Sequence, residues 1–588
     1  MRAAGLPNEV AAYCPEWRAV DYSLYWYRLP EVPKFFICSN CHGEHIKDTP
    51  LASRFQRIRR ADHELTSCWF WTPRVREILW PQALRSGSLD SLREFMGRRV
   101  ELKACKSAGF VAASEGFKWF NMVNNEINGF VSCEACYEDR IAGGLFEHKF
   151  QPDQRQGKDE QWSCDVWVPF ISRSIVKKAK QNNWAEFVAL ATRRFQLPAC
   201  AGKQVQSNSG TWYRTRHRIE NLEVCETCYM DKLLLTRFEH HFERVSQSND
   251  LDSFIHAFTT RFTCKLTPLN LPMAFALQNA SERRDWTVFQ NAATAICRLA
   301  PCTLDGIVWG NWWTLKGGCA NYDVCEVCYV GILQTGGLER FFEVARRSSA
   351  EVFVCNFCAG TPRFKQYVDR FAQTLDTGVF SCYSDFVRTF ASIPVCPGKQ
   401  TREKSTWWGY REGLFCQDCY VTFVSKSALG RAVPLKAAYD ERPQICQIWS
   451  PRMRTMWMGV CDAGVPGSPE SDKALGEFKA FMEKRLQIYV QTVPQMDMIL
   501  AMKKMKMQTA MTQGLVSTMY HGMDGLLQAS NATDGYLHGN SQIGWHATSQ
   551  GAQGAQAFNN MQAGFMNANR ADEWMQMAQL EMIWKQVE

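Results

Sequence analysis

The sequence lacks several features that would assign it quickly to a common class of protein. No apolar run approaches the roughly 20 residues needed to cross a bilayer, which predicts no transmembrane segment. The first 30 residues contain no apolar core and no small-residue cleavage site, so we expect an intracellular protein, nuclear or cytoplasmic. The excess of positive over negative charge is also small: a net charge of +8 is spread over 588 residues and does not by itself predict nucleic-acid binding.

Motifs of catalysis are missing as well. The chain has 11 histidines and none between His256 and His521, which excludes a Cys–His nucleophile pair repeated along the chain. We find no G-x-x-x-x-G-K-S/T phosphate loop, no G-x-S-x-G elbow and no H-E-x-x-H motif. We therefore predict no catalytic residues and a protein that is not an enzyme.

Cysteine and tryptophan, by contrast, are abundant, with 25 and 21 residues. Five C-x-x-C pairs, each followed by Tyr or His, have first cysteines 95, 92, 100 and 91 positions apart, which indicates an internal repeat. Each pair has one cysteine 20–28 positions upstream and one 27–36 positions downstream. The five sets are Cys14, Cys38, Cys41 and Cys68; Cys105, Cys133, Cys136 and Cys164; Cys200, Cys225, Cys228 and Cys264; Cys302, Cys325, Cys328 and Cys355; and Cys396, Cys416, Cys419 and Cys446.

The remaining five cysteines fall outside this pattern: Cys297, Cys319, Cys358, Cys382 and Cys461. Two sets keep an alternative member. Cys358 competes with Cys355 in the fourth set, and His42 or His45 could replace Cys14 in the first.

Four thiolates around one ion are typical of a structural zinc site, since catalytic zinc keeps one position open for water or substrate. Intracellular thiols stay reduced, which favours metal over disulfides. The sequence thus predicts about five structural Zn²⁺ ions, each contributing on the order of 10 kcal/mol to the folding of a small unit. The alternatives are disulfides, which need an oxidising compartment, and packed free thiols.

Other residues repeat with the cysteines. An aromatic pair precedes each C-x-x-C, and a proline follows most downstream cysteines, as in Cys164-Asp-Val-Trp-Val-Pro169. Proline suits the first turn of a helix, so we expect a helix after each downstream cysteine. The predicted fold is α+β: a tandem array of five four-cysteine, zinc-pinned hairpin units that alternate with helix pairs, stacked in a row, followed by C-terminal helices and a disordered tail.

The period also predicts domain boundaries. The repeats span 1–100, 101–196, 197–298, 299–392 and 393–490, and a Met/Lys-rich amphipathic helix follows over 491–520. Within the last repeat we expect a helix from about Ser471 to Val490, with a restart at Pro494.

The C-terminal region has a different composition. Gly, Gln, Asn, Ala and Ser dominate 521–570, which predicts a disordered linker. Over 571–588, Trp574, Met577, Leu580 and Trp584 fall on one helical face, as in an amphipathic docking helix that binds a partner or folds back on its own body.

The C-x-x-C-Tyr repeat resembles a cysteine-rich family of filamentous fungi whose function is not established. Its marks are C-x-x-C-Tyr with a following acidic residue, and a downstream cysteine near Trp-x-Pro. The closest stretch is Cys136-Tyr-Glu-Asp139 with Cys164-Asp-Val-Trp-Val-Pro169, and the resemblance covers about 14–490. It implies no activity, and the fourth copy departs most from the pattern.

We therefore expect a non-catalytic, zinc-stabilised repeat protein that acts as an intracellular scaffold for protein–protein interaction, through the repeat surface or the C-terminal helix. The alternative is a zinc-repeat protein that binds RNA or DNA, for which Arg57, Arg59 and Arg60, and Arg214, Arg216 and Arg218, are candidate clusters. An enzyme is a distant third reading, because it would need an open metal site or a deep polar pocket.

Overall fold

The fold is that of a computed structural model, which describes residues 10–16, 18–60, 64–245, 260–348, 350–540 and 542–588. The chain divides into two compact units, Met1–Ser392 and Ile393–Glu588. We call each cysteine set, together with the helix pair that follows it, a module. The first unit contains four modules and the second contains the fifth.

Each module is built on a three-stranded antiparallel sheet with the same strand order. The first strand lies in the centre, between the second and the third, as in β2-β1-β3. The strands of the five sheets are β1 Leu24–Arg28, β2 Ile37–Cys38, β3 Gln56–Arg60; β5 Trp119–Met122, β6 Val131–Cys133, β7 Phe150–Asp153; β10 Trp212–Thr215, β11 Glu223–Cys225, β12 Phe242–Arg244; β14 Trp312–Leu315, β15 Val324–Cys325, β16 Phe342–Ala345; β17 Ser405–Tyr410, β18 Gly413–Cys416, β19 Leu435–Asp440.

Short two-stranded pairs complete the described strands. They are β4 Val111–Ala112 with β8 Gln161–Trp162, β9 Val205–Gln206 with β13 Arg261–Phe262, and β20 His538–Asn540 with β21 Gly544–His546.

Each C-x-x-C pair lies at the start of a short helix, which was not among the predicted helices. A short helix begins directly after the first cysteine of each pair: α1 Ser39–Cys41, α4 Glu134–Arg140, α7 Glu226–Lys232, α10 Glu326–Cys328 and α13 Gln417–Thr422. In the first and fourth modules a π-helical turn continues it, His42–Ile46 and Tyr329–Gln334.

A helix pair follows each downstream cysteine, which confirms the predicted alternation of hairpins and helix pairs. The pairs are α2 Trp80–Ser86, preceded by the π-helical turn Arg74–Leu79, with α3 Asp90–Arg99; α5 Pro169–Lys180 with α6 Trp184–Gln196; α8 Leu271–Arg283 with α9 Trp286–Ile296; α11 Phe364–Thr377 with α12 Ser381–Phe390; and α14 Pro451–Asp462 with α15 Pro469–Ala529. Proline occupies the first turn of α5, α8, α14 and α15, where its missing N–H costs no helix hydrogen bond.

Within Met1–Ser392 the modules contact each other in chain order. The helix pair of one module meets the short helix of the next. Arg99 makes a bidentate ion pair with Asp139 at 2.8 and 2.9 Å between the first and second modules. Arg194 makes the same pairing with Asp231 at 2.8 and 2.7 Å between the second and third.

The same unit also joins its fourth module to its first. Asp376 of α11 accepts hydrogen bonds from the guanidinium of Arg18, at 2.5 Å, and from the Tyr22 hydroxyl. Between the third and fourth modules, Asn279 Nδ2 donates to Thr335 Oγ1 at 2.8 Å. The contacts therefore close a cycle of four modules, which the expected row of repeats did not include.

In Ile393–Glu588 the second helix of the module is extended to 61 residues, as α15. It passes through Pro494 without the predicted restart. Tyr489, Val493 and Met496 are buried around this proline in one apolar cluster, and their packing stabilises the helix across the missing hydrogen bond.

The predicted disorder of 521–570 is not confirmed. Apart from Ser541, the described residues there include the end of α15, the hairpin β20–β21 and the helix α16 Ser549–Ala568. Small residues explain this, because they let α16 approach α15 closely. A Cβ at Gly564 would lie 2.9 Å from Ala510 Cβ, and Ser517 Oγ donates to the Gly554 carbonyl at 2.9 Å.

The final helix, α17 Ala571–Trp584, folds back on its own unit. Met577 and Trp584 are buried against Tyr489 and Val493 of α15, whereas Trp574 is 56% exposed. Of the two positions that the sequence leaves open for this helix, the structure therefore shows the one packed on its own body.

Among the described residues, no helix is both long enough and apolar enough to span a membrane.

Candidate metal centres

The five predicted cysteine sets come together in space. In each, the four sulfur atoms all lie within 4.8 Å of one another, as ligands of a single ion would. Three of the four cysteines are buried in every set except the third, where two are, and the upstream cysteine is always half-buried. None of the 25 cysteines forms a disulfide. Such groups can hold a metal ion with four protein ligands.

The local chain conformation at each pair is nearly identical. The first cysteine precedes the short helix with φ between −67° and −70° and ψ between 155° and 159° in all five modules. Cys38 Sγ and Cys416 Sγ accept the N–H of the second cysteine, at 3.3 and 3.5 Å. A helix N-terminus favours the thiolate form of a cysteine, because its free N–H groups carry partial positive charge.

The downstream cysteine is held by the sheet. Its sulfur accepts the backbone N–H of the first pair cysteine in every module, as from Cys38 to Cys68 and from Cys133 to Cys164, at 3.4 to 3.5 Å throughout. The upstream sulfur accepts an N–H two residues later in three modules, from Glu16, Ser107 and Gly398. These N–H groups offset negative charge on the thiolates.

The aromatic pair lies on the central strand and has two separate roles. Its first ring stands opposite the first pair cysteine in all five registers, as Trp26 opposite Cys38. Its second ring stacks on the residue that follows the pair, as Phe120 on Tyr137 with centroids 3.8 Å apart. The first ring is buried and the second is stacked, so both belong to the core beside the sulfur atoms.

These contacts resolve the two open ligand sets. His42 stacks on Tyr27 at 3.5 Å and burial lowers its pKa to about 4, while His45 stacks on Phe70; Cys14 joins the first set. In the fourth set the structure places Cys355 with the other three sulfurs, and Cys358 lies beside them as a neighbour of Cys302 and Cys325.

Burial makes several of these thiols hard to ionise without a cation. It is the largest influence on Cys38 and Cys446 and raises the pKa of both. A cation among the sulfurs reverses this cost, because metal binding releases the thiol protons and pairs the buried charges. The donor set is therefore chemically matched to a thiophilic divalent ion.

The ion pairs between modules were not predicted from the sequence. Asp139 and Asp231 are each the third residue after their C-x-x-C. In the sequence, an acidic residue near this position is only a mark of the family resemblance and predicts no contact. The shared spacing of acidic residue and pair, together with a paired Arg at the end of the preceding spacer (Arg98-Arg99 and Arg193-Arg194), is the signal that could have indicated them.

Comparison of the chain with protein-family models, with curated proteins and with solved structures gives no match.

Proposed function

We propose that each four-cysteine group binds one structural zinc ion, about five per chain, and that the protein is a non-catalytic intracellular scaffold for protein interaction. The zinc proposal rests on one observation, the convergence of four sulfurs in five separate groups. All four ligands come from the chain, which leaves no coordination position for water or substrate in a tetrahedral site.

Metal content and thiol reactivity test the zinc proposal together. Inductively coupled plasma mass spectrometry of the purified full-length protein should find about five zinc ions per chain. A thiol titration should find few reactive cysteines before chelation and about 20 more after it. A chain with no metal and few free thiols after chelation would instead contain disulfides.

The scaffold proposal is supported by exposed apolar side chains on α15. Leu515 and Leu526 are each 73% exposed, and Met498, Met505 and Met519 are more than half exposed. A helix that is apolar on most sides is usually covered by other protein, and methionine adapts to varied partner surfaces.

Substitution of this helix surface gives a direct test. In cells, the triple variant Met505→Ser, Leu515→Ser, Met519→Ser should lose proteins that cross-link to the wild-type chain. Those proteins should bind the purified wild-type chain with an affinity that changes little with salt concentration. A matched control replaces Thr509, Thr512 and Thr518, which are exposed on the same helix, by serine. Identical cross-linked partners for all three chains would contradict the role of this surface.

Nucleic-acid binding remains the second candidate because of the sheet surfaces of the first and third modules. Arg57 is exposed and lies over the Tyr25 ring at 4.9 Å, and Arg216 and Arg218 are exposed in the third module. Arg60 and Arg214 instead form ion pairs with Glu64 and Glu243, at 3.2 and 3.0 Å.

Salt dependence separates the two candidates. If the chain binds RNA or DNA through phosphate contacts, its affinity falls steeply with salt concentration. The double variant Arg57→Ala, Arg216→Ala should then reduce the slope of log affinity against log salt concentration by about 2. An affinity for labelled single- and double-stranded oligonucleotides that is undetectable at low salt would leave the scaffold as the better-supported function.

A further inference from the structure

A cavity of about 480 Å³ lies where the fourth module meets the first, inside Met1–Ser392. Its lining includes Gly43 and Glu44 of the first module and Arg340, Thr374 and Phe380 of the fourth. Cavities of 300–1,000 Å³ are typical of small-molecule sites. No cysteine lines it, although Tyr13, Ser39 and Asn40 in the lining are chain neighbours of Cys14, Cys38 and Cys41.

The other junctions show why there is space here. The second residue after C-x-x-C points a side chain at the preceding module in the second and third modules. Glu138 pairs with Arg74 and Arg98, and Met230 is buried in the core of the second module. In the first module this residue is Gly43, and a Cβ there would meet nothing within 4 Å. The cavity occupies the place of the missing side chain.

The third-to-fourth junction shows the opposite extreme. A Cβ at Gly331 would lie 2.6 Å from the Pro272 side chain and 2.7 Å from its carbonyl oxygen, so the two modules touch there. Gly331 is the third residue after C-x-x-C, one position beyond the equivalent of Gly43, which is Val330 in the fourth module. The close contact at this junction contrasts with the open space beside Gly43.

The cavity lining includes a hydroxyl without a hydrogen bond and two arginines without a carboxylate partner. Thr374 is 2% exposed, and its hydroxyl makes no hydrogen bond to the described residues. Arg283, at the end of α8 in the third module, and Arg340 line the cavity as well, and neither has a carboxylate within ion-pair distance among the described residues. The Arg340 guanidinium lies over the Phe341 ring, 4.6 Å from its centroid. Glu44 is the acidic lining residue, with its side chain 63% exposed and 3.7 Å from His45 Nε2. Two guanidinium groups and one carboxylate leave an excess of positive charge.

The apolar part of the lining is aromatic. Phe341 and Phe380 stack with centroids 3.9 Å apart and an interplanar angle of 5°, and both line the cavity. Leu338 and Leu375 add aliphatic surface. A ligand with both an apolar body and an anionic group would therefore find a complementary surface for each part in this cavity.

We propose that this cavity binds a small organic anion, a carboxylate or a phosphate ester with an aromatic or aliphatic body, between the first and fourth modules. Its anionic group pairs with Arg283 and Arg340, whose planar guanidinium groups suit carboxylate and phosphate oxygens. Its body lies against Phe341 and Phe380 in the space that Gly43 leaves. A bound ligand joins the two modules and so stabilises the closed cycle.

The test uses the full-length, metal-loaded protein and three probes: phenylacetate, phenyl phosphate and benzyl alcohol. Isothermal titration calorimetry should show at least one anion binding about tenfold more tightly than the neutral alcohol. Whichever anion binds more tightly distinguishes a carboxylate from a phosphate ligand. Equal affinity for all three probes, or no heat with any at about 10 mM, would overturn the proposal.

Two variants place the binding in this cavity. Gly43→Met restores the side chain that Met230 supplies in the third module, and it should abolish anion binding while the melting temperature stays equal or rises. Gly97→Met is the matched control, because Gly97 is also a helical glycine with nothing within 4 Å of a Cβ, and it should bind like wild type. Unchanged binding by Gly43→Met would refute the assignment.

The exposed arginines give a variant that leaves the fold intact. Arg340→Gln should weaken binding of the anion about tenfold and leave binding of benzyl alcohol unchanged. Its metal content and melting temperature should equal those of the wild type. The control is Arg346→Gln, an exposed arginine outside the cavity lining. Equal loss with both variants would indicate a nonspecific charge effect and would contradict the site.

Discussion

The cysteine modules and the α15–α16 hairpin are stabilised in different ways. A module surrounds four convergent sulfurs with a three-stranded sheet and a helix pair, and its Trp and Tyr rings fill the space beside the sulfurs. The hairpin has no cysteine and packs through Gly, Ala and Ser, with methionine and leucine exposed on its outer side. The modules are thus built around convergent sulfur atoms and large rings, and the hairpin around close backbone approach.

This comparison shows that composition alone does not determine order. The α16 side of the hairpin has the composition of a disordered segment, yet its small residues let it pack along α15. The modules are rich in aromatic residues, yet the cysteine-bearing part of each, such as residues 14–68, is small for a self-sufficient core, and we infer that its stability depends on a bound ion.

Loss of a metal ligand should give the largest difference in stability between the cysteine modules and the α15–α16 hairpin. Cys133→Ser removes one of four ligands in the second module and should cost that module most of the roughly 10 kcal/mol that a structural zinc contributes. Hydrogen–deuterium exchange should show lost protection in β5, β6 and α4 and unchanged protection in α16. Equal protection of the second module in variant and wild type would mean that the sulfurs hold no ion.

Tryptophan truncation should sharpen the contrast next. Trp26 is 0% exposed, and Trp26→Ala should destabilise the first module by about 3–5 kcal/mol, because it leaves a large cavity. Trp574→Ala is the control in the helical region, where the ring is more than half exposed and contacts Lys503 Nζ at 3.9 Å. Its cost should be about 1 kcal/mol or less. Chemical denaturation of the metal-loaded chain, monitored by exchange in each region, measures both.

The ion pairs between modules come third. Asp139→Asn leaves the guanidinium of Arg99 buried with its charge uncompensated and should destabilise the junction by about 3 kcal/mol. Asp572→Asn removes an ion pair with Arg570 in which both side chains are more than half exposed, and it should leave the melting temperature nearly unchanged because solvent screens the pair. A similar change in melting temperature for the two variants would show that the junction pair adds no stability.

Close helix approach gives the smallest effect. Gly564→Leu places a side chain against Ala510 of α15 and should destabilise the hairpin by about 1–3 kcal/mol. Gly522→Leu, where a Cβ would meet nothing within 4 Å, should be neutral or slightly stabilising. Exchange rates in α16 distinguish the two, and faster exchange in Gly522→Leu than in Gly564→Leu would be inconsistent with packing through small residues.

The repeat itself was predictable because its spacing is written in the order of the residues. The two cysteines of a C-x-x-C pair lie close together because only two residues separate them, and a proline after the downstream cysteine favours a helix start for local reasons. The α+β fold and the five groups of four cysteines follow from these local rules. The choice of Cys355 over Cys358 did not, because both are near the sulfurs and only the turn at 355–358 decides which one points at them.

Local sequence determined the parts of this protein that lie within one module: the cysteine sets, the sheet with its aromatic pair, and the helix starts. Tertiary structure alone decided what happens between modules: the contact of Asp376 with Arg18 and Tyr22 that closes the cycle, the cavity at Gly43, and the packing of α16 and α17 on α15. The physical reason is range. Turn geometry and helix caps act over a few residues, whereas contacts between residues more than 300 positions apart depend on the accumulated angles of every module between them.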